Sequence, residues 1–116
     1  MMRQLCLTIA LTCIAPIGAV AEQQAINDGI YDAYDCSVPI SDQRVEITGN
    51  KLAFYESSCD LSNPQSILGL ERTTIFDADC QGEGETWTTR FILKQTQDGG
   101  IAMMDETWGD HYARCN

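Results

Sequence analysis

The sequence has few basic residues, a single histidine and no long apolar run, and these absences exclude several kinds of protein. Only seven of its 116 residues are Lys or Arg, against 17 Asp and Glu, so the net charge is −10 at pH 7. Such a surface repels nucleic acid and anionic lipid and attracts cationic partners. Since a membrane-spanning helix needs ~20 apolar residues, we expect neither a nucleic-acid partner nor a membrane span.

Residue patterns that carry catalysis or hold cofactors are also scarce. His111 is the only histidine, and no serine lies in the context of an activated nucleophile. No glycine-rich phosphate loop precedes a helical pattern. The carboxylate pairs Asp105-Glu106 and Glu83–Glu85 are expected by chance in a chain this acidic. We therefore expect a protein that is not an enzyme and that has no cofactor.

The first 21 residues have the pattern of a secretory signal peptide. Arg3 supplies the positive charge, Leu5–Ile17 is mostly apolar, and Ala19-Val20-Ala21 fits the cleavage rule. Cleavage after Ala21 leaves residues 22–116 as a single β-domain. This domain keeps all 17 acidic residues but loses Arg3, so its net charge becomes −11. We expect it to be periplasmic or secreted.

Four widely spaced cysteines remain in that domain: Cys36, Cys59, Cys80 and Cys115. They contain no C-x-x-C pair of the kind that binds zinc, and a small exported domain commonly uses disulfides. Four cysteines allow three pairings. In an up-and-down arrangement of strands, Cys36 and Cys59 fall at the same end of the sheet. This favours a Cys36–Cys59 bond and leaves Cys80–Cys115 as the second.

The clearest structural pattern is a hairpin within Arg44–Ser57. Gly49-Asn50 suits a two-residue turn, because both residues tolerate positive φ. The turn pairs Thr48 with Lys51, and a slip of one residue would break the apolar pairing across the two strands. This register gathers four apolar residues on one face: Val45, Ile47, Leu52 and Phe54.

Other β-branched or alternating segments predict further strands at residues 29–36, 72–76, 85–95, 101–105 and 111–115. Residues 60–70 are expected to form a connection, and Asp77–Glu85 a polar loop that contains Cys80. No segment has a convincing helical pattern. The sequence therefore predicts an all-β domain, a small antiparallel meander or barrel of about seven to eight short strands with two disulfides.

The predicted acidic loop and a tryptophan beside a turn are the candidate contacts for a partner. These residues are Asp77, Asp79, Glu83, Glu85 and Trp108. The loop begins D-x-D-x-Q-G, like a calcium loop, which would use Asp77, Asp79 and Gln81 as ligands. Thr88 stands where such a loop has its bidentate glutamate, so we expect no metal. Most of the other aromatic side chains are expected in the core.

Several short motifs carry a resemblance to a known family. They are Tyr34-Asp35-Cys36 leading into Arg44-Val45-Glu46-Ile47, the hairpin to Phe54, and Cys115 near the C-terminus. In these the chain resembles the small periplasmic inhibitors of c-type lysozyme, the MliC-like family. The resemblance implies a disulfide-bridged antiparallel β-barrel. The family's S-G-x-x-Y loop has no counterpart here, so no functional residue carries over.

These patterns favour an exported, acidic, monomeric binding module that inhibits a cationic cell-wall hydrolase of the lysozyme type. A first alternative is a small lipocalin-like carrier, whose barrel would hold an apolar ligand in a cavity lined by Trp87, Phe91 and Leu93. A second alternative is an envelope structural protein without a dedicated ligand site.

Overall fold

The structure, a computed structural model, describes residues 10–13 and 26–116. Most of the predicted signal peptide, residues 1–21, lies outside the described residues, and so does its cleavage site. Residues 10–13 form neither helix nor strand. Within the described ranges, no helix is long and apolar enough to cross a bilayer.

Eight antiparallel strands follow one another around a closed barrel. Each strand pairs with the next, and β8 pairs with β1 to close the ring. The strands are β1 Gly29–Asp32, β2 Arg44–Thr48, β3 Lys51–Ala53, β4 Ser57–Ile67, β5 Leu70–Gly82, β6 Glu85–Gln95, β7 Ile101–Met104 and β8 Gly109–Arg114. The predicted all-β barrel with two disulfides is confirmed.

The interior of the barrel is filled by one set of alternating side chains from each strand. The largest side chains that are fully buried are Tyr31, Leu52, Leu93, Ile101, Met103, Val45 and Cys59. Phe91 packs in the same core, with Phe54 and Phe76 partly buried against it. Every buried side-chain nitrogen or oxygen in the described part of the chain has a hydrogen-bond partner.

The hairpin predicted within Arg44–Ser57 has the expected register. Thr48 pairs with Lys51, and Ile47 pairs with Leu52. Gly49 occupies the turn with φ +59°, a conformation that glycine adopts without steric cost. The apolar face of the hairpin points into the core, as predicted.

The predicted connection at residues 60–70 is wrong, because most of it belongs to strand β4. The segment pairs with β5, with a register shift between Ser62 and Gln65. Asn63, with φ +53°, and Pro64 lie within that irregularity. A bulge is one of the few places where a sheet accepts proline. The sequence pattern was obscured because β4 has few apolar residues.

The predicted acidic loop Asp77–Glu85 is also wrong. Asp77–Gly82 forms the second half of β5, and only Glu83-Gly84 forms the turn into β6. Both turn residues have positive φ, +52° and +78°, as in a type I′ hairpin. The carboxylates of Asp77 and Asp79 consequently lie along the barrel wall and not in a loop.

The disulfides join Cys36 to Cys115 and Cys59 to Cys80, so the predicted pairing of Cys36 with Cys59 and Cys80 with Cys115 is wrong. Cys59 and Cys80 are directly opposite each other on β4 and β5. Closure of the barrel places β8 beside β1, which brings Cys115 to the connection that contains Cys36. Two disulfides indicate folding in an oxidising compartment.

A buried carboxylate fixes the long connection between β1 and β2. Asp32 is 2% exposed and accepts hydrogen bonds from the Tyr34 N–H and from the Ser41 hydroxyl. The Arg44 guanidinium donates to its other oxygen at 3.0 Å, and further guanidinium nitrogens donate to carbonyls of the connection, including that of Val38 at 2.6 Å. The connection is therefore held against the barrel.

Candidate partner-binding surface

The antiparallel order places four connections at one end of the barrel. They are the long β1–β2 connection at 33–43, the β3–β4 turn at 54–56, the β5–β6 turn at 83–84 and the β7–β8 loop at 105–108. We call this the aromatic end. The opposite end carries the β2–β3, β4–β5 and β6–β7 turns. The first half of β6 also belongs to the aromatic end, because β6 starts there.

Large aromatic side chains are exposed at the aromatic end. Tyr55 is 58% exposed, and Trp87 and Trp108 are each 41% exposed. The expectation that the other aromatic side chains are mostly core holds for Phe91 and Tyr31 but not for Tyr55, Trp87 or Tyr34 of the β1–β2 connection. We call Tyr55, Trp87 and Trp108 the aromatic rim. Exposed tryptophan and tyrosine are enriched among the side chains that dominate protein–protein binding.

Trp108 is connected to the core through a row of rings. The Phe54 and Phe91 ring centroids are 6.3 Å apart, and the Trp108 ring meets Phe91 edge-on at 6.2 Å. Trp87 lies on the same face of β6 as Phe91 but near the strand's start, where it is opposite Cys80. Trp108 is therefore half-exposed on a rigid aromatic support.

Asp105 holds the loop that presents Trp108. Its carboxylate accepts hydrogen bonds from the Thr107 N–H at 2.8 Å and the Trp108 N–H at 2.9 Å. The Asp105 N–H donates to the Trp108 carbonyl at 2.9 Å. Burial alone would raise the pKa of Asp105, but these hydrogen bonds outweigh burial and lower it. The loop is thus organised before any partner arrives.

Acidic side chains surround the rim, and no Lys, Arg or His occurs in residues 54–56, 83–88 or 105–108. Glu56 and Glu83 come from two different turns and lie close together. The hydrogen bond between their side chains, followed by the negative charge of Glu83, raises the pKa of Glu56. Glu85 and Glu106 add exposed carboxylates.

The six basic residues of the domain are distributed unevenly along the barrel. Arg44 and Arg90 are the two nearest the aromatic end, and each forms an ion pair. Arg44 pairs with Asp32 at 3.0 Å, and Arg90 pairs with Asp77 at 2.9 Å. The other four lie toward the opposite end: Lys51, Arg72, Lys94 and Arg114. The negative potential is therefore concentrated around the aromatic rim.

The structure brings the predicted contact residues together in two groups. Glu83, Glu85 and Trp108 lie at the aromatic end. Asp77 and Asp79 lie on the outer wall of β5, facing β4 and β6. Asp77 is engaged with Arg90 and with the Asn63 amide at 3.0 Å, and these hydrogen bonds lower its pKa, Asn63 having the larger effect.

The calcium-like string Asp77, Asp79 and Gln81 runs along an extended strand. A calcium loop curls its ligands around one point, whereas successive outward side chains of a strand are separated by two residues along a nearly straight line. No group of three or more His, Cys, Asp or Glu side chains within the described residues is placed to hold a metal.

Sequence reasoning missed Tyr55, Glu56 and Trp87 as members of this surface. Trp87 alternates correctly with Phe91 and Leu93, and alternation alone predicts burial. β6 extends past the end of β7, so β7 does not pair with the residues of β6 that precede Ile92. Strand length, which the sequence pattern does not specify, decided the exposure of Trp87.

Comparison with protein-family models, curated proteins and solved structures finds no match to this chain.

Proposed function

We propose that this protein is an exported, non-enzymatic binding module that captures a cationic protein at its aromatic end. The observation that carries the proposal is the coincidence of an exposed aromatic rim with a cluster of carboxylates that contains no basic residue. Aromatic side chains supply contact area and anchoring, and carboxylates supply attraction and orientation. Trp87 and Trp108 can also stack against lysine or arginine side chains of the partner.

The compartment and the resemblance narrow the class of partner. Two disulfides match an oxidising compartment, and the signal-peptide pattern supports periplasmic or secreted location. Cell-wall hydrolases of the lysozyme type are cationic proteins that act there, and the motifs from Tyr34 to Phe54 resemble inhibitors of c-type lysozyme. We therefore propose a cationic cell-wall hydrolase as the partner and inhibition by occlusion as the effect. The binding module itself is proposed to be monomeric.

Inhibition assays test this proposal directly. Purified protein would be titrated into a panel of basic lysozymes at 20 mM and at 150 mM salt. We expect inhibition that weakens as salt rises, because the attraction between exposed charges is screened over about 8 Å at physiological ionic strength. No binding and no inhibition across the panel at either salt concentration would refute the proposed hydrolase partner.

Matched variants locate the surface. Trp108→Ala should weaken binding at least tenfold, as expected for an aromatic anchor. Leu68→Ala is the control, because Leu68 is a fully exposed apolar side chain in the turn at the opposite end. Equal losses in both variants would assign binding to another surface.

The lipocalin-like alternative requires an internal cavity lined by Trp87, Phe91 and Leu93. Phe91 and Leu93 are 3% and 1% exposed and pack within the filled core, while Trp87 is half-exposed at the barrel end. The packed interior lends this alternative no support. An envelope role without a ligand site is distinguished by the same assays, since it predicts no partner.

A further inference from the structure

The first half of β6 has one paired edge and one open edge. On one side, Glu85 to Lys94 pairs with β5 without interruption. On the other side, pairing with β7 begins only at Ile92, opposite Met104. Within the described residues, no strand pairing and no backbone hydrogen bond occupies that side between Glu85 and Arg90.

The hydrogen-bonding direction of each residue on this edge follows from the ladder. The Thr96 N–H donates to the Gly100 carbonyl on the β7 side at 2.9 Å. Because donors alternate in direction along a strand, the even-numbered residues of β6 point their N–H and C=O groups toward the same side. Thr86, Thr88 and Arg90 therefore present three donors and three acceptors at the open edge.

The surroundings of the edge specify the chemistry of a segment that would pair with it. On the outer face, Thr88 is opposite Asp79, and Asp79 is opposite Asp60. Glu106, from the β7–β8 loop, shares a shallow hollow with Thr88, Asp79 and Arg90, and the Arg90 guanidinium is already paired with Asp77 at 2.9 Å. The short side chains of Thr86 and Thr88 leave room for a long side chain to reach over them to the carboxylates behind.

The inner face of the same edge is apolar. Trp87 lies there near the mouth of the barrel, and Phe91, with the Trp108 ring against it, lies four residues further along β6 toward the core. A strand added beside β6 would alternate between these two faces, because successive side chains of a strand point to opposite sides. The matching segment alternates Lys or Arg with apolar residues.

We propose that the cationic partner docks by adding an extended segment of this alternating kind to the open edge of β6. The inference rests on the proposed function and specifies how the partner is held. Main-chain hydrogen bonds with Thr86 and Thr88 supply affinity, and the two faces supply selectivity, as in other cases of strand addition. A second copy of this chain fits poorly, because its own surface is as acidic as the edge.

A proline substitution separates the edge donors from the rest of the surface. The Thr88 N–H points away from β5, so Thr88→Pro removes an edge donor without removing a bond of the β5–β6 ladder. Thr88→Val is the matched control, since it keeps the donor and the β-branched shape. Melting temperature and near-ultraviolet circular dichroism establish that each variant is folded.

The probe is a blocked octapeptide of alternating Lys and Val. We expect micromolar binding to the wild-type protein, binding within threefold for Thr88→Val, and at least tenfold weaker binding for Thr88→Pro. Hydrogen exchange of the Thr86 and Thr88 amides in the wild-type protein should be fast without peptide and at least tenfold slower with it. This second measurement decides the matter if Thr88→Pro fails to fold.

Three results would overturn the inference. They are equal peptide affinity in Thr88→Pro and Thr88→Val, a Thr88 amide already protected in the free protein, and dimerisation that Thr88→Pro abolishes. Failure of the edge inference is separable from failure of the proposed function. Lysozyme binding that survives Thr88→Pro but is lost in Trp108→Ala would retain the aromatic end and reject strand addition.

Discussion

Cys59 and Cys80 face each other across β4 and β5, with their Cα atoms 4.0 Å apart. The Phe54 N–H donates to the Ser57 carbonyl across the preceding turn, so the odd-numbered residues of β4 make their ladder bonds with β3. Cys59 and Cys80 are therefore a non-hydrogen-bonded pair, the pairing that brings opposite residues closest in an antiparallel sheet. Their side chains share the inner face, and a disulfide joins them without displacement of either strand.

Removal of each disulfide should lower the free energy of unfolding by a different amount. The Cys36–Cys115 bond closes a loop with a sequence separation of 79 residues, worth about 4.5 kcal/mol in the chain-entropy model. The Cys59–Cys80 separation is 21 residues, worth about 3.4 kcal/mol in the same model. Urea unfolding of the two double-alanine variants measures both losses, and Cys59→Ala with Cys80→Ala additionally removes buried sulfur from the core.

Peptide mapping of the unreduced protein checks the pairing itself. A fragment that links Cys36 to Cys115 and another that links Cys59 to Cys80 are expected. A fragment that links Cys36 to Cys59 would contradict the barrel closure between β1 and β8 described above.

The sequence predicts some elements of this fold well and others poorly, for physical reasons. The β2–β3 hairpin and β6 were predicted because each buries one face of regularly alternating apolar side chains. β4 was missed because its second half extends past the short strand β3, so that few of its residues need to be apolar. The second half of β5 was missed because its buried side chains are the small Ala78 and Cys80, which alternate with polar residues. Ser62, Asn63 and Pro64 then read as a turn, although they lie within a strand and its bulge.

The disulfide pairing and the aromatic end could not be predicted for a related reason. Local patterns describe strands one at a time, whereas the pairing of Cys36 with Cys115 depends on closure of the whole barrel. The exposure of Trp87 likewise depends on where β7 stops relative to β6. Glu83, Glu85 and Trp108 were predicted from the sequence as candidate contact residues, but Tyr55 and Trp87 join them at the aromatic end only through tertiary structure.

Loss of the Asp32 charge should destabilise the β1–β2 connection. Asp32→Asn removes the ion pair with Arg44 and places an amide donor opposite a guanidinium donor. We expect a loss of about 1.5–3 kcal/mol in the free energy of unfolding, as for a hydrogen bond to a charged group. Asp42→Asn is the control, because it makes the same charge change at an exposed residue of the same connection. Urea denaturation that gives equal values for the two variants would show that the Asp32 network contributes no stability.

The pKa of Asp32 determines how its contribution to the free energy of unfolding changes at acidic pH. Burial raises the pKa of Asp32, but hydrogen bonds from Tyr34, Ser41 and Asp35 and the Arg44 charge outweigh burial and lower it. An unfolded aspartate has a pKa of about 3.9. Because the folded pKa lies below this value, the contribution of Asp32 is fully present well above pH 4 and is lost as the pH falls through the folded pKa.

Melting temperatures measured from pH 7 to pH 2 test this sign. Wild-type stability should fall with acidification below about pH 4.5, and the Asp32→Asn variant should show a shallower fall from a lower starting value. Parallel curves for the two proteins would mean that Asp32 has the same pKa in the folded and unfolded states.

Two glycines of the β5–β6 hairpin should respond differently to substitution. A Cβ atom on Gly82 would lie 2.6 Å from the Glu56 carbonyl oxygen and 2.7 Å from the Ser57 Cβ, whereas a Cβ on Gly84 would meet nothing within 4 Å. Gly82→Ala should therefore cost about 1–3 kcal/mol through overpacking and displace the turn that carries Glu56. Gly84→Asn should be nearly neutral, because asparagine tolerates the positive φ of that position. Thermal unfolding of both variants makes the comparison. If Gly82→Ala is as stable as Gly84→Asn, then the β3–β4 turn does not pack closely against Gly82 of β5. The proximity of Glu56 to Glu83, which depends on that packing, would then be contradicted.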